Sequence, residues 1–140
     1  MPLELLVNID VDDLHRAERF YRDALGLRVG RRFGGGMVEL VGASSPIYLL
    51  EKPTGSAAAP TTAQARDYRR HWTPVHLDIA VEDLDGALER AIGAGAALEG
   101  EVRAHDWGRI AQLADPFGHG LCLIQFSQRG YDAIATPASA

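Results

Sequence analysis

The sequence predicts an α+β fold in which two βαβββ modules form curved mixed sheets around a cavity. The phrase Val-acid-Asp-Leu occurs twice, at residues 11–14 and again at residues 81–84, a spacing of half the 140-residue chain. Each copy follows an apolar run suited to a strand and precedes a run with helical spacing. The chain therefore divides into two related halves, and we expect a binding site where the halves meet.

The first half predicts a strand, a helix and then three strands. Residues 3–11 place alternate apolar side chains on one face, which indicates a strand with one buried side. Asp12 and Asp13 supply an N-cap and a negatively charged first turn for a helix that ends at Gly26. Three short strands follow, separated by glycine-rich and serine-rich turns, at residues 29–33, 37–41 and 47–51.

The second half repeats this order. Residues 75–81 predict a strand, Asp83 caps a helix, and Gly93 and Gly95 end it. An Asp-Pro-Phe-Gly turn begins at Asp115 and separates the last two strands. The three closing strands are predicted at residues 98–102, 109–114 and 120–126.

Four segments make up one globular unit. The segment between the modules is rich in Pro, Thr, Ala and Ser, and a connection of this length is usually either a plain linker or a functional lid. The predicted boundaries are 1–51 for the first module, 52–74 for the linker or lid, 75–127 for the second module and 128–140 for a C-terminal tail.

Composition excludes several classes of protein. The formal net charge of −5 argues against nucleic-acid binding, which needs clustered Lys and Arg. The single cysteine excludes a disulfide framework, and the first residues lack the basic region of an export signal, so we expect a cytoplasmic protein. No apolar stretch approaches the roughly 20 residues that span a bilayer, so we expect no membrane partner.

Several motifs carry a family resemblance. They are Asp13-Leu14 with Ala17, Phe20-Tyr21 and Leu25-Gly26-Leu27, then Asp83-Leu84 and Asp115-Pro116-x-Gly118. This pattern resembles the vicinal oxygen chelate superfamily of glyoxalase I, bleomycin-resistance proteins and extradiol dioxygenases, to about residue 126. The resemblance implies a cavity built from paired modules. In the enzymes of that superfamily it also implies a divalent metal held by His and Glu or Gln, and dimers are common.

The resemblance can be transferred to this sequence position by position. The first ligand of each module stands seven residues before the Asp of the Asp-Leu pair, which gives His76 in the second half but Leu6 in the first. The closing ligand stands seven residues after Asp115, which gives Cys122, and its counterpart in the first half is Tyr48. The expected quartet therefore contains one imidazole and one thiol.

That quartet is chemically poor for a metal. Leucine has no donor atom, and catalytic zinc sites normally keep three protein ligands. We therefore expect no metal cofactor. A divalent metal is possible if His76 is joined by Glu39 or Asp78, because Asn8 and Asp78 project from the same strand faces as Leu6 and His76.

His76 is the candidate catalytic residue, because an imidazole can move a proton at neutral pH. Its alternative is a hydrogen-bonded cavity histidine. The alternative for Cys122 is the usual behaviour of a free thiol in the middle of a strand, that of a small hydrophobic residue, and Trp107 and Arg109 can instead pack on the surface. We assign His119 to a turn where it stabilises the backbone. The candidate ligand-binding residues are Asn8, Tyr48, His76, Asp78, Trp107, Arg109 and Cys122.

Three functions remain open from the sequence. The first is a metal-independent protein of the bleomycin-resistance type that binds a small apolar or aromatic molecule between the modules. The alternative is a metal-dependent lyase, isomerase or dioxygenase of the same superfamily that uses His76. The third is an accessory module acting through assembly, in which the apolar tail at residues 131–134 packs on a partner. In each case we expect a homodimer.

Overall fold

The computed structural model, which describes residues 2–137, consists of two units with one helix each, the first with four strands and the second with five. Met1 of the predicted first module and residues 138–140 of the predicted tail lie outside this range. The first module contains β1 (Val7–Val11), α1 (Leu14–Leu25), β2 (Arg28–Phe33), β3 (Met37–Val41) and β4 (Ile47–Glu51). The second contains β5 (Leu77–Ala80), α2 (Leu84–Ala94), β6 (Ala97–Leu98), β7 (Arg103–His105), β8 (Gly108–Ala114) and β9 (Gly120–Phe126), and a 3₁₀ turn follows at Gly130–Ala133.

Both sheets are mixed and have the same strand order. The first sheet is ordered β1-β4-β3-β2, and the second is ordered β5-β9-β8-β6 with β7 also paired to β8. The opening strand of each module pairs in parallel with its closing strand, and the other pairs are antiparallel. The predicted α+β fold with two βαβββ modules is therefore confirmed.

The two helices begin in the same way. The carboxylate of Asp13 accepts a hydrogen bond from the backbone N–H of Arg16 in α1, and Asp83 accepts one from Gly86 in α2. The end of each closing strand supplies a second acceptor: Glu51 Oε2 binds the N–H of Leu14, and Gln125 Oε1 binds the N–H of Leu84, both at 2.8 Å. The repeated Val-acid-Asp-Leu phrase thus marks two matching strand-to-helix turns.

The opening strands are shorter than predicted. The prediction of a strand over residues 3–11 is wrong at its start, because β4 begins at Ile47 opposite Val7 and offers no partner to earlier residues. Leu3 and Leu5 are consequently exposed. The prediction of one strand over residues 98–102 is also wrong. Two short strands, β6 and β7, replace it on either side of Gly100, whose φ of 80° interrupts extended backbone.

One continuous hydrophobic core joins the modules. The helices α1 and α2 contact each other, and the helix-facing sides of both sheets contribute to the same buried cluster. Phe20 of α1 packs edge-on against Phe117 of the second module, with ring centroids 6.3 Å apart. Polar side chains are therefore accommodated on the opposite face of each sheet, which does not pack against a helix. Among the described residues, no helix is long and apolar enough to cross a membrane.

Candidate functional site

A cavity of about 740 Å³ lies between the two modules. Strands β1 and β5, the outer strands of their sheets, both contribute to its wall, together with the turn before β9. Its size suits a small organic molecule. The apolar lining residues are Leu5, Leu6, Val7, Ile9, Tyr21, Leu25, Ile47, Val75, Leu77, Ile79 and Leu121.

The polar part of the wall is small and contains three imidazoles. Its members are Asn8, Asp10, His71, Thr73, His76 and His119. No arginine or lysine of the described chain lines this cavity. The Oδ2 atom of Asp10 accepts a hydrogen bond from Arg66 Nε at 2.8 Å, so the one carboxylate of the wall is already paired.

Each of the three imidazoles makes one hydrogen bond to an oxygen of the protein. His71 Nδ1 contacts the backbone carbonyl of Arg69, His76 Nδ1 contacts Asp78 Oδ1, and both distances are 2.7 Å. His119 Nε2 contacts the backbone carbonyl of Asp10 at 2.7 Å. These bonds fix the ring orientations and leave the second nitrogen of each ring for other partners.

His76, Asp78 and Cys122 form a compact group that could hold a metal ion. Asp78 and Cys122 are neighbours in the parallel register of β5 and β9, and one ligand atom from each of the three residues lies within 4.8 Å of the others. Burial, reinforced by the nearby charge of Asp78, raises the pKa of the Cys122 thiol to about 11. Cys122 is therefore a neutral thiol at pH 7, and a metal would have to displace its proton.

The corresponding residues of the first module form a different cluster. The carboxylate of Glu39 accepts hydrogen bonds from Arg31 Nη2 at 2.8 Å and from the hydroxyl of Tyr48 at 2.9 Å. These bonds, that of Arg31 above all, lower the pKa of Glu39 to about 2. An added Cβ at Gly30 would lie 2.5 Å from Glu39 Oε1, so the absence of a side chain at Gly30 leaves space for this carboxylate.

The strand registers relate the two clusters. In the first sheet Tyr48 lies opposite Asn8 of β1, and in the second Cys122 lies opposite Asp78 of β5. Asn8 and Asp78 are 70 residues apart, as are Leu6 and His76, so Tyr48 and Cys122 are structural counterparts.

The residues present fit a metal in the second module only. His76, Asp78 and Cys122 supply imidazole, carboxylate and sulfur, a donor set suited to Zn²⁺, and a metal held by all three would replace the hydrogen between His76 Nδ1 and Asp78. Leu6 supplies no donor, and the Tyr48 hydroxyl is bonded to Glu39. The pairing of Glu39 with His76 is not observed, since Glu39 stands outside the one such group found among residues 2–137.

Trp107 and Arg109 lie away from the cavity wall. Trp107 stacks on His105 with ring centroids 5.0 Å apart and also contacts Phe126 and Tyr131. Arg109 Nη1 binds Asp85 Oδ1 at 3.1 Å on the side of α2. Of the seven candidate ligand-binding residues, Asn8 and His76 line the cavity, Asp78 and Cys122 adjoin His76, and the other three stand elsewhere.

Sequence reasoning missed His71, His119 and Asp10 as wall residues. His119 immediately precedes β9, and the parallel pairing of β9 with β5 brings it beside the opening strand. The signal available was the histidine that follows the Asp-Pro-x-Gly turn. His71 belongs to the segment 52–74, whose path no periodic pattern defines.

The segment 52–74 is held against the second module. Arg70 makes two hydrogen bonds to the carboxylate of Glu99, at 2.6 and 2.7 Å, and Trp72 Nε1 donates to the same carboxylate at 2.9 Å. An added Cβ at Gly120 would collide with the ring of Trp72, so this glycine permits the close approach. The segment consequently carries His71 and Thr73 into the cavity wall.

Two βαβββ modules with a shared apolar core and a cavity between their opening strands define a class of small αβ cavity proteins. Residues 6–124 match the family described as the glyoxalase-like domain. The chain belongs to this family, which confirms the resemblance to the vicinal oxygen chelate superfamily.

Known relatives agree with this assignment. The chain is 30% identical over 138 residues to the anthracycline biosynthesis protein DauV of Streptomyces sp. strain C5, covering 95% of this chain and 44% of that protein. The chain thus spans less than half the length of this curated relative. A glyoxalase-related enzyme from Fulvimarina pelagi superposes with a TM-score of 0.71 at 17% identity, with all of both chains covered. TnmS3, an antibiotic binding protein from Streptomyces sp. CB03234, has a TM-score of 0.63 at 24% identity, covering 91% of this chain and 98% of that one.

Proposed function

We propose that this protein binds a small apolar or aromatic molecule in the cavity between its modules, without a metal ion. The observation that carries this proposal is the wall of the cavity, in which eleven of the eighteen lining residues are apolar or aromatic and the few polar ones converge from both modules. Burying an apolar ligand there removes its surface from water at roughly 25 cal/mol per Å². The names of DauV and TnmS3, an anthracycline biosynthesis protein and an antibiotic binding protein, support the same class of ligand.

Calorimetric titration with polycyclic aromatic compounds, including an anthracycline, tests the proposal. We expect saturable one-site binding in the presence of EDTA. The variant Leu6→Asp, which places a charge in the wall at an exposed position, should weaken binding at least about tenfold. The matched control is Leu98→Asp in β6, outside the cavity wall, which should bind like the parent. Absence of binding to the whole ligand panel, or equal effects of the two variants, would contradict the proposal.

A metal-dependent lyase, isomerase or dioxygenase is the second candidate function, and the His76, Asp78 and Cys122 group favours it. A metal bound there would act as a Lewis acid toward substrate oxygens. Elemental analysis of protein purified without chelator separates the two proposals. Stoichiometric Zn, Ni, Fe or Mn that is lost in Cys122→Ser would establish the metal site and overturn the metal-free proposal.

We further propose that the protein forms a homodimer. Large apolar side chains are exposed both at the start of the chain, at Leu3 and Leu5, and at its end, at Tyr131 and Ile134. A partner subunit would cover such surface. Light scattering tests this proposal, and a monomer at micromolar concentration would contradict it.

A further inference from the structure

The three imidazoles of the cavity wall share one feature of their hydrogen bonding. His71, His76 and His119 each direct one ring nitrogen at an oxygen that can only accept a hydrogen bond. Two of these oxygens are backbone carbonyls, of Arg69 and Asp10, and the third belongs to the carboxylate of Asp78. The nitrogen that makes each bond must therefore carry the hydrogen.

The hydrogen-bond partner of each neutral ring assigns its tautomer. His71 and His76 carry the hydrogen on Nδ1, and His119 carries it on Nε2. In a neutral imidazole the remaining nitrogen has a lone pair and no hydrogen, so it accepts hydrogen bonds and cannot donate them. Those remaining atoms are Nε2 of His71, Nε2 of His76 and Nδ1 of His119, and none of them has a hydrogen-bond partner among the described residues.

The other polar residues of the wall do not offset this excess of hydrogen-bond acceptors. No lysine or arginine lines the cavity, and the carboxylate of Asp10 is a further acceptor, already paired with Arg66. Among the described residues, Asn8 is the one wall side chain left to donate, because the hydroxyls of Thr73 and Tyr21 already donate to the Val75 carbonyl and to Asp115. A carboxylate or phosphate on the ligand would therefore lose its hydration without finding a cation, which is costly in an apolar site.

We propose that the cavity selects an uncharged aromatic ligand that donates hydrogen bonds through phenolic hydroxyl groups, with the three imidazoles as acceptors. This inference rests on the proposed function, because it specifies the ligand class of the same cavity. It excludes two kinds of aromatic molecule of the same size: ethers and esters, which only accept, and carboxylates, which carry a negative charge.

The tautomers can be measured directly on the unliganded protein. Long-range ¹H–¹⁵N NMR at pH 8 distinguishes a protonated ring nitrogen from an unprotonated one. We expect Nδ1–H signals for His71 and His76 and an Nε2–H signal for His119, assigned with single His→Gln variants. The opposite tautomer at His76 and His119 would overturn the inference and leave the proposed function standing, because an apolar cavity can bind ligands with either tautomer.

Ligand selectivity is the second test, at pH 8 with EDTA present. The probes are naphthalene-2,6-diol, 2,6-dimethoxynaphthalene and naphthalene-2,6-dicarboxylate, which share one ring system. We expect the diol to bind at least about tenfold more tightly than either of the others, since each neutral hydrogen bond contributes roughly 2- to 10-fold. In His76→Phe the preference for the diol over the dimethoxy compound should fall by about that single-bond factor, while His105→Phe, outside the cavity wall, should leave it unchanged.

The outcomes separate the two proposals. Equal or tighter binding of the dimethoxy compound, or of the dicarboxylate, would overturn the donor inference while supporting an apolar cavity site. If neither the three probes nor the larger polycyclic panel bind, the proposed function fails and the inference fails with it. If His76→Phe does not fold, the same comparison with His71→Phe and the NMR result decide the matter.

Discussion

The hydroxyl of Tyr21 donates a hydrogen bond of 2.5 Å to Asp115 Oδ2, and this bond ties helix α1 of the first module to the Asp-Pro-Phe-Gly turn of the second. Both residues are buried. Asp115 Oδ1 also accepts from the backbone N–H groups of Phe117 and His119, so one carboxylate organises the turn and joins the modules. Burial, followed by the charge of Asp115, raises the pKa of the Tyr21 hydroxyl well above its usual range, so this donor keeps its proton.

Removing the Tyr21 hydroxyl should destabilise the whole protein. In Tyr21→Phe the buried Oδ2 atom of Asp115 loses its donor, and we expect the free energy of unfolding to fall by about 1–3 kcal/mol. Urea denaturation followed by circular dichroism measures this loss. Tyr131→Phe, at an exposed tyrosine, is the matched control and should change stability little. Equal effects of the two substitutions would show that the bond to Asp115 contributes nothing.

The Arg31–Glu39 pair predicts a specific dependence of stability on acid. The pKa of Glu39 falls from 4.5 to about 2, so the folded state favours the ionised carboxylate. The contribution of Glu39 to stability is therefore complete above pH 4.5 and is lost as the pH falls toward 2. We expect the stability difference between the parent and Glu39→Gln to be largest near neutral pH and to shrink below pH 4.5.

Urea denaturation at pH 3, 4, 5 and 7 measures that difference. Glu101→Gln removes an exposed carboxylate and serves as the control, with no such convergence expected. A difference that stays constant from pH 7 to pH 3 would contradict the assignment of the Arg31 bond as the cause.

The Cys122 thiol should resist modification in the folded protein. Its pKa is raised from 9.0 to about 11, so the thiolate fraction at pH 8 is about 100-fold lower than that of an unperturbed thiol. We expect reaction with Ellman's reagent at pH 8 to be at least about 100-fold slower in the native state than in urea. A native rate close to the unfolded rate would contradict the burial of this thiol and would favour a reactive Cys122.

The glycine of the Asp-Pro-Phe-Gly turn should be intolerant of any side chain. Gly118 has a φ of 89°, and an added Cβ would collide with the backbone carbonyl of Tyr68 in the segment 52–74. Gly118→Ala should therefore cost more than about 1 kcal/mol of stability. Gly35→Ala, in the β2–β3 turn where a Cβ would meet nothing within 4 Å, is the matched control. Thermal unfolding of both variants measures the comparison, and similar midpoints would refute the steric explanation.

Local signals in the sequence were sufficient to predict most of the secondary structure. The caps at Asp13 and Asp83, the stop at Gly26 and the strands β3, β4 and β9 are set by neighbouring residues, and all are observed where the sequence predicts them. The strand ends at Val7 and Leu77 were not predictable in this way. They depend on where β4 and β9 begin, which is a matter of pairing between distant segments.

The candidate site shows the same division between features that local sequence predicts and features that depend on distant contacts. Counting back from Asp83 placed His76 and counting forward from Asp115 placed Cys122, and the pairing of β5 with β9 brings the two together, because strand register conserves such a count. Counting could not place His71 or His119, since a loop and a turn reach the cavity through tertiary contacts. Nor could it show that Glu39 is held by Arg31 and Tyr48, which are eight and nine residues away on neighbouring strands.

The sequence by itself determined the two-module fold, because repeated caps, turns and apolar periods act over a few residues. It also determined that the usual metal quartet is incomplete, since Leu6 has no donor atom. Only the tertiary structure decided which side chains meet in the cavity and which nitrogen of each histidine is left free. The first property depends on contacts between segments as far apart as Asp10 and His119. The second depends on ring orientation, which the sequence does not give even where the partner is two residues away, as for His71 and His76.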